Sequence, residues 1–292
     1  MGFRFLARAC CFIFLALPAG LATLSVAQRL AGFESQTEQL RSTASSGGMV
    51  FETQRCAEIA AMGPEYRSLG NTCEYALSRK TLPNFLCQET MLRSMRNNPR
   101  EEWRPVDTVI ATVTFVNGKG DRYSDFTING RQVDSLAASG GWNSLALFGS
   151  QLTTIFLPAT KTDFKFSGKV NGEQGPSALF NFQFKRENNF TFKKGALRPG
   201  LSGSIFIDEP TGQLQHVEAF ASELDPNGHL LSYKSSLDYG DVAIFDLGMI
   251  LTPTAGRVEV CFVDGVCDQN VLSFHGCRKF GSDARIIPNP AP

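Results

Sequence analysis

Hydrophobic and polar residues alternate with period two over most of the chain, the mark of strands with one buried face. The alternation is clearest in "SALFNFQF" (177–184), where Phe180, Phe182 and Phe184 point one way and Asn181 and Gln183 the other. It recurs in "TLPNFLCQETMLRSMR", with Phe85, Cys87, Glu89 and Met91 on one side, and in "DTVIATVTFVNGKGDRYSDFTI". After residue 160 it returns in "TDFKFSG", "LSGSIFIDEPTGQLQHVEAFASEL", "HLLSYKSSLDYGDVAIF", "GMILTPTAGRVEVCF" and "CDQNVLSFHGCRKF". Turn chemistry in "NGKG", "NGRQV" and "EPTG" separates the strands and predicts antiparallel hairpins.

Two internal stretches follow a helical period instead. Between Val50 and about Lys80, the spacing of Phe51, Ile59, Tyr66, Leu69, Tyr75 and Leu77 predicts one or two amphipathic helices, interrupted at Gly63-Pro64 and at Gly70. Between Ser139 and Pro158, "ASGGWNS" reads as a loop. Leu145, Phe148, Leu152, Ile155 and Phe156 then recur at steps of three and four, predicting a helix over 145–157 that Pro158 ends. Helices and hairpins together make an α+β fold.

The Phe positions form a ladder. A three-residue loop at Glu187–Asn189, with Asn189 left-handed, pairs Phe184 with Phe192 and turns Phe180, Phe182, Phe184, Phe190 and Phe192 to one side. Phe164 and Phe166 extend that face on the preceding strand. Each ring fully buried stabilises by roughly 1.5 to 3 kcal/mol, which favours the register with one apolar face. The ladder is therefore one wall of a core or of a cavity.

Composition narrows what such a wall is for. Phe supplies 24 of 292 residues, against 2 Trp and 5 Tyr, so the aromatic excess is apolar and suits a greasy face better than a sugar platform. Residues 1–27 read as a signal peptide: Arg4 and Arg8, then "ACCFIFLALPAGLA", then small residues up to Ala27, after which cleavage is expected. A retained membrane anchor is the other reading of that run, though it is short of the roughly 20 residues a span requires. Residues 28–48 are a polar leader, 49–287 one α+β domain, and 288–292 a disordered tail. The cleaved chain carries no stable membrane span and would be periplasmic or extracellular. It keeps 26 Lys+Arg against 28 Asp+Glu, a balance that offers nucleic acid no electrostatic handle.

Six Cys survive cleavage, an even number that reads as disulfides in an exported chain, with 15 full pairings open. In "CFVDGVC", a three-residue loop with Gly265 left-handed sets Phe262 opposite Val266 and Cys261 opposite Cys267, within reach of a bridge. Cys56 with Cys73, and Cys87 with Cys277, is one way to pair the rest. No CxxC pair or His spacing suggests a metal, and no cofactor motif is present.

Catalytic candidates are few. His216, His229 and His275 stand apart from one another and read as structural or surface residues. "GLSGS" (200–204) lacks the final Gly of a nucleophile elbow and opens a strand. Asp107, Asp121 and Asp125 sit at strand ends, where solvated carboxylates are ordinary. "NFT" at 189–191 matches a glycosylation acceptor. The expectation is a protein that is not an enzyme.

At "LPNFLCQ", "VDTVIATVTFVNGKGDRYSDFTINGR", "LFGSQLTTIFLPAT", "IDEPTGQLQHVEAF" and "CRKFGSDARI", the chain resembles an uncharacterised family of exported soil-bacterial proteins. In the order of its elements and its "DEPTG" hairpin it is more remotely similar to the outer-membrane lipoprotein-sorting (LolA-like) carriers. That resemblance implies a strongly curved antiparallel sheet, an open half-barrel whose concave apolar face is closed by helices and accepts acyl chains. On this reading Phe164, Phe166, Phe180, Phe182, Phe184 and Phe192 line a chamber for a lipid, acyl chain or other apolar ligand. Leu152 and Phe156 cover it on a helical lid hinged at "ASGGW". The alternative is a structural or protein-interaction domain with a filled core.

Overall fold

The computed structural model describes residues 48–78, 84–116, 120–136, 139–145, 147–172, 175–189 and 199–280. The expected signal peptide, most of the leader, Phe190, Phe192 and the tail lie outside the described residues.

Two helices come first, α1 (Gly48–Ala60) and α2 (Arg67–Ser78), joined by a short 3₁₀ turn at Pro64–Tyr66. The break at Gly63-Pro64 falls where the sequence places it. The break expected at Gly70 does not occur, because Gly70 lies inside α2. A β-carbon there would meet the Ala60 side chain at 2.7 Å, so the glycine lets the two helices touch, and the Cys56–Cys73 disulfide ties them together.

Eleven strands follow: β1 (Phe85–Arg96), β2 (Arg104–Val116), β3 (Gly120–Ile128), β4 (Arg131–Gln132), β5 (Asp163–Gly172), β6 (Gly175–Phe184), β7 (Gly200–Asp208), β8 (Leu214–Glu223), β9 (Leu230–Ile244), β10 (Gly248–Phe262) and β11 (Cys267–Lys279). They form one antiparallel sheet in the order β4-β3-β2-β1-β11-β10-β9-β8-β7-β6-β5, with β4 and β5 as open edges. β11 returns beside β1, where the Cys87–Cys277 disulfide joins them. The third bridge, Cys261–Cys267, closes the β10–β11 hairpin. There Gly265 is left-handed at φ 88° and the Phe262 N–H donates to Val266 O, as the turn chemistry requires.

One short helix, α3 (Ser150–Phe156), shows how far the sheet bends. At its start Phe148 packs on Phe85 of β1 and Phe274 of β11; at its end Phe156 stacks on Phe164 of β5. In the sheet order β1 and β5 are seven strands apart. In a flat sheet that separation would be about 34 Å. The seven residues of α3 advance only about 10 Å, and Phe148 lies just two residues before the helix. The sheet therefore curls around α3, an open half-barrel with the helices on its concave side. The resulting core takes in all three helices and inward residues of β1–β3 and β5–β11.

Two expectations need correcting. The helix over 145–157 is shorter, because side chains satisfy the backbone just before it: the Gly149 N–H donates to Asp121 Oδ2, and Asn270 Nδ2 donates to Trp142 O and Ser144 Oγ. The Glu187–Asn189 hairpin also fails. Asn189 is extended (φ −86°, ψ 110°), and Phe184 pairs with Leu201 of β7, the place expected for Phe192. The β6–β7 connection is long, not tight. Asn189 is buried with its Nδ2 donating to Pro199 O, so it presents no accessible glycosylation acceptor.

Candidate binding face

The Phe ladder occupies the inward face of β5 and β6. Cross-strand register sets Phe164 opposite Phe182 and Phe166 opposite Phe180, so the rings share one side, with Lys165, Asn181 and Gln183 exposed on the other. Phe164, Phe180, Phe182 and Phe184 are all buried. Phe166 is half-buried, its ring 5.3 Å from that of Phe180 and its N–H donating to the Tyr66 hydroxyl. Phe182 lies across β7 at Gly203, where a β-carbon would come within 2.8 Å of its ring and 1.9 Å of Glu218 O. Only glycine leaves the ring that bed.

α3 seats directly on this wall. Leu152, Ile155 and Phe156 are fully buried, and the Phe156 ring lies 5.2 Å from that of Phe164. Tyr66 meets Phe180 from the helical side at 5.5 Å, and the Arg55 guanidinium covers Phe164 while donating to Thr162 O. Among the described residues, two clefts lie at the margins of this face. One, of about 180 Å³, is lined by Glu65, Ser68, Phe166, Lys169, Ala178, Asp208 and Glu209. The other, about 490 Å³, lies beside β4 at Ile128, Asn129, Arg131 and Val133.

The opposite wing of the concave face is different in kind. β1 alternates inward through Phe85, Cys87, Glu89, Met91 and Arg93, all buried. Arg93 makes a two-pronged ion pair with Asp107 of β2, both contacts at 2.6 Å. It also donates to Gly140 O, Asn143 Oδ1 and Ser139 Oγ. Asp268 of β11 accepts from the Trp142 N–H at 3.0 Å. Burial raises the Asp268 pKa above the usual carboxylate range, against the Trp142 bond and the Arg93 charge. The segment expected to be a hinge is thus held by side chains of two strands, β1 and β11.

Glu89 sits between these regions. It pairs with Ala111 of β2 and Phe274 of β11, under the Phe148–Gly149 entry to α3. Its side chain is 1% exposed, and neither carboxyl oxygen has a hydrogen bond of ordinary geometry. Burial pushes its pKa to about 8; Tyr123 pulls the other way and the Asp121 charge adds to the rise. At neutral pH Glu89 is therefore mostly protonated. A second acceptor, Gln151 Oε1 on α3, is buried without a partner, although Gln151 Nε2 donates to Ser235 Oγ.

Glu89 and Arg93 were legible as inward by period two, but nothing local shows that a charged residue at such a position is buried rather than at a rim. Of the other polar candidates, Asp107 and Asp121 are structural partners of Arg93 and Gly149, and Asp125 occupies a left-handed kink in β3. His216 lies on the outer face, half-buried, with Nδ1 2.6 Å from Asp238 Oδ1. Burial opposes its charge, but Asp238, and Glu218 beside it, outweigh burial and raise its pKa. Among the described residues no three His, Cys, Asp or Glu group to hold a metal, and no helix is long and apolar enough to cross a membrane.

No protein-family model matches the chain, and no curated protein matches it. Among solved structures it is similar to an outer-membrane lipoprotein-sorting protein domain from Vibrio parahaemolyticus, at 10% identity and TM-score 0.37 over 72% of this chain and 91% of that one. It is similar to a DUF1329 family protein from Desulfovibrio piger at 11% identity and TM-score 0.36, covering 73% and 93%. A LolA superfamily protein from Nitrosomonas europaea aligns at 8% identity and TM-score 0.31, covering 72% and 94%.

Proposed function

We propose that the chain is an exported binding module that shelters a lipid, acyl chain or other apolar molecule on its Phe-rich concave face, with α3 as a displaceable plug. One observation carries this reading: the two edges of the sheet do not pair with each other, and a seven-residue helix bridges the wings in place of strand hydrogen bonds. A barrel closed by strands could not open without breaking its ladder. A helix held largely by apolar contacts can give its place to an apolar guest. The three disulfides suit an oxidising compartment and brace the scaffold around the plug: one within the α1–α2 pair, two at β1, β10 and β11.

A second reading, a filled-core scaffold that works through its rim, is favoured by the close packing of the ladder against α3. Uptake of an apolar fluorescent dye by the purified protein separates the two, together with mass spectrometry of its solvent extract. The carrier reading expects dye uptake that Phe182→Asp or Phe184→Asp abolishes, and a stoichiometric apolar molecule in the extract. A chain that takes up no dye and yields no such molecule is the scaffold.

A further inference from the structure

Buried acceptors without a hydrogen bond of ordinary geometry gather near α3. Neither Glu89 oxygen has a hydrogen bond of ordinary geometry, although Tyr123 is close enough to lower its pKa, and Gln151 Oε1 on α3 itself is a further buried acceptor with no partner. A dry apolar core gains nothing from such groups, since each unpaired buried polar atom costs about 1 to 3 kcal/mol. The positive charge nearby is engaged: the Arg93 guanidinium is shared among Asp107, Gly140, Asn143 and Ser139. Asp121, whose charge reaches Glu89, holds the Gly149 N–H at the helix entry.

We propose that Glu89 is the head-group site of the chamber, taking an apolar ligand whose polar end donates hydrogen bonds, such as a hydroxyl, amide or amine, in preference to a carboxylate or phosphate. The inference rests on the carrier reading and names the ligand class for it. When α3 withdraws, Asp121 loses its Gly149 donor while Glu89 stays at the floor of the opened face. A hydroxyl or ammonium placed there supplies a donor to both carboxyl groups. An anionic head would meet the Asp121 charge beside Glu89, while the Arg93 guanidinium is already shared among its own partners. The hydrocarbon end would then extend toward Phe164, Phe180 and Phe182, along the line α3 now occupies from β1 and β11 to β5.

The test is displacement of the bound dye by dodecanol, dodecylamine, laurate and dodecyl phosphate, which share one chain length. Dodecanol and dodecylamine should displace it at roughly tenfold lower concentration than the two anions. Glu89→Leu should erase that preference while dye uptake persists. Glu89→Gln, which keeps an acceptor, should retain the preference for the alcohol. Laurate competing as well as dodecanol, or an undiminished preference in Glu89→Leu, overturns the head-group assignment alone. Absence of dye uptake in the unsubstituted protein overturns the carrier reading and this inference with it.

Discussion

Inward positions of β6 hold Ala178, Phe180, Phe182 and Phe184; inward positions of β1 hold Phe85, Cys87, Glu89, Met91 and Arg93. Both strands follow the same alternation, and both lie on the concave side of one sheet. The β6 wing is stabilised by area: rings stack on rings and on α3, with no polar atom to satisfy. The β1 wing is held by direction, because Arg93 makes sense only if Asp107, Gly140 and Asn143 are each in place. The charged wing fixes the loop from which α3 begins. If α3 is displaced as proposed, its Phe156 end, which rests on rings, would lift before the end held by polar bonds.

The sharpest blow to this contrast is Arg93→Ala. It strands Asp107 in the interior, with an expected loss of about 3 to 5 kcal/mol in urea unfolding. It should also free the 139–145 loop, seen as faster amide exchange there. If Arg93→Ala unfolds no more easily than the parent, the β1 wing is not held by charge. On the other wing, Phe180→Ala should cost about 3 kcal/mol by the same measurement while leaving exchange in that loop unchanged.

Glu89 links stability to acidity. Its folded pKa, about 8, lies above the ordinary 4.5, so the folded state holds the extra proton between those values. Stability from this group is fully present below about 4.5 and falls as pH rises toward 8, by about 2 kcal/mol between pH 6 and pH 8. Glu89→Gln should flatten that part of the profile. A parent profile already flat there would show that Glu89 is not buried as a neutral acid. The smallest effect belongs to His216. Its raised pKa contributes stability that is full below about 6.5 and is lost as pH passes the folded value. The pair is partly solvated, so His216→Gln should lower stability by less than about 1 kcal/mol at pH 5.5 and leave it unchanged at pH 9.

Much of this was readable along the chain. Alternation placed Phe164, Phe180, Phe182 and Phe184 on one face, and Gly265 located the turn that aligns Cys261 with Cys267. Period two shows which way a side chain points but not which strand lies beside it, so the partner of Phe184 was misassigned to Phe192. The loop at 139–145 was also misread. Gly140 and Gly141 are left-handed, as flexible hinge glycines often are, yet Ser139, Gly140 and Trp142 are held by residues from 46 positions before to 128 after. Contacts over such distances leave no local periodicity.

An open sheet has two raw borders, and here they are β5 and the short β4 beside β3. The β5 border carries exposed Lys165, a left-handed Gly168, and Lys169 paired with Glu209; the other border is kinked at Asp125. Charge and kinks of this sort discourage a neighbouring molecule from adding its own strand. The proposed state with α3 displaced would be the one most exposed to self-association, and these lysines stand where a second copy would have to dock.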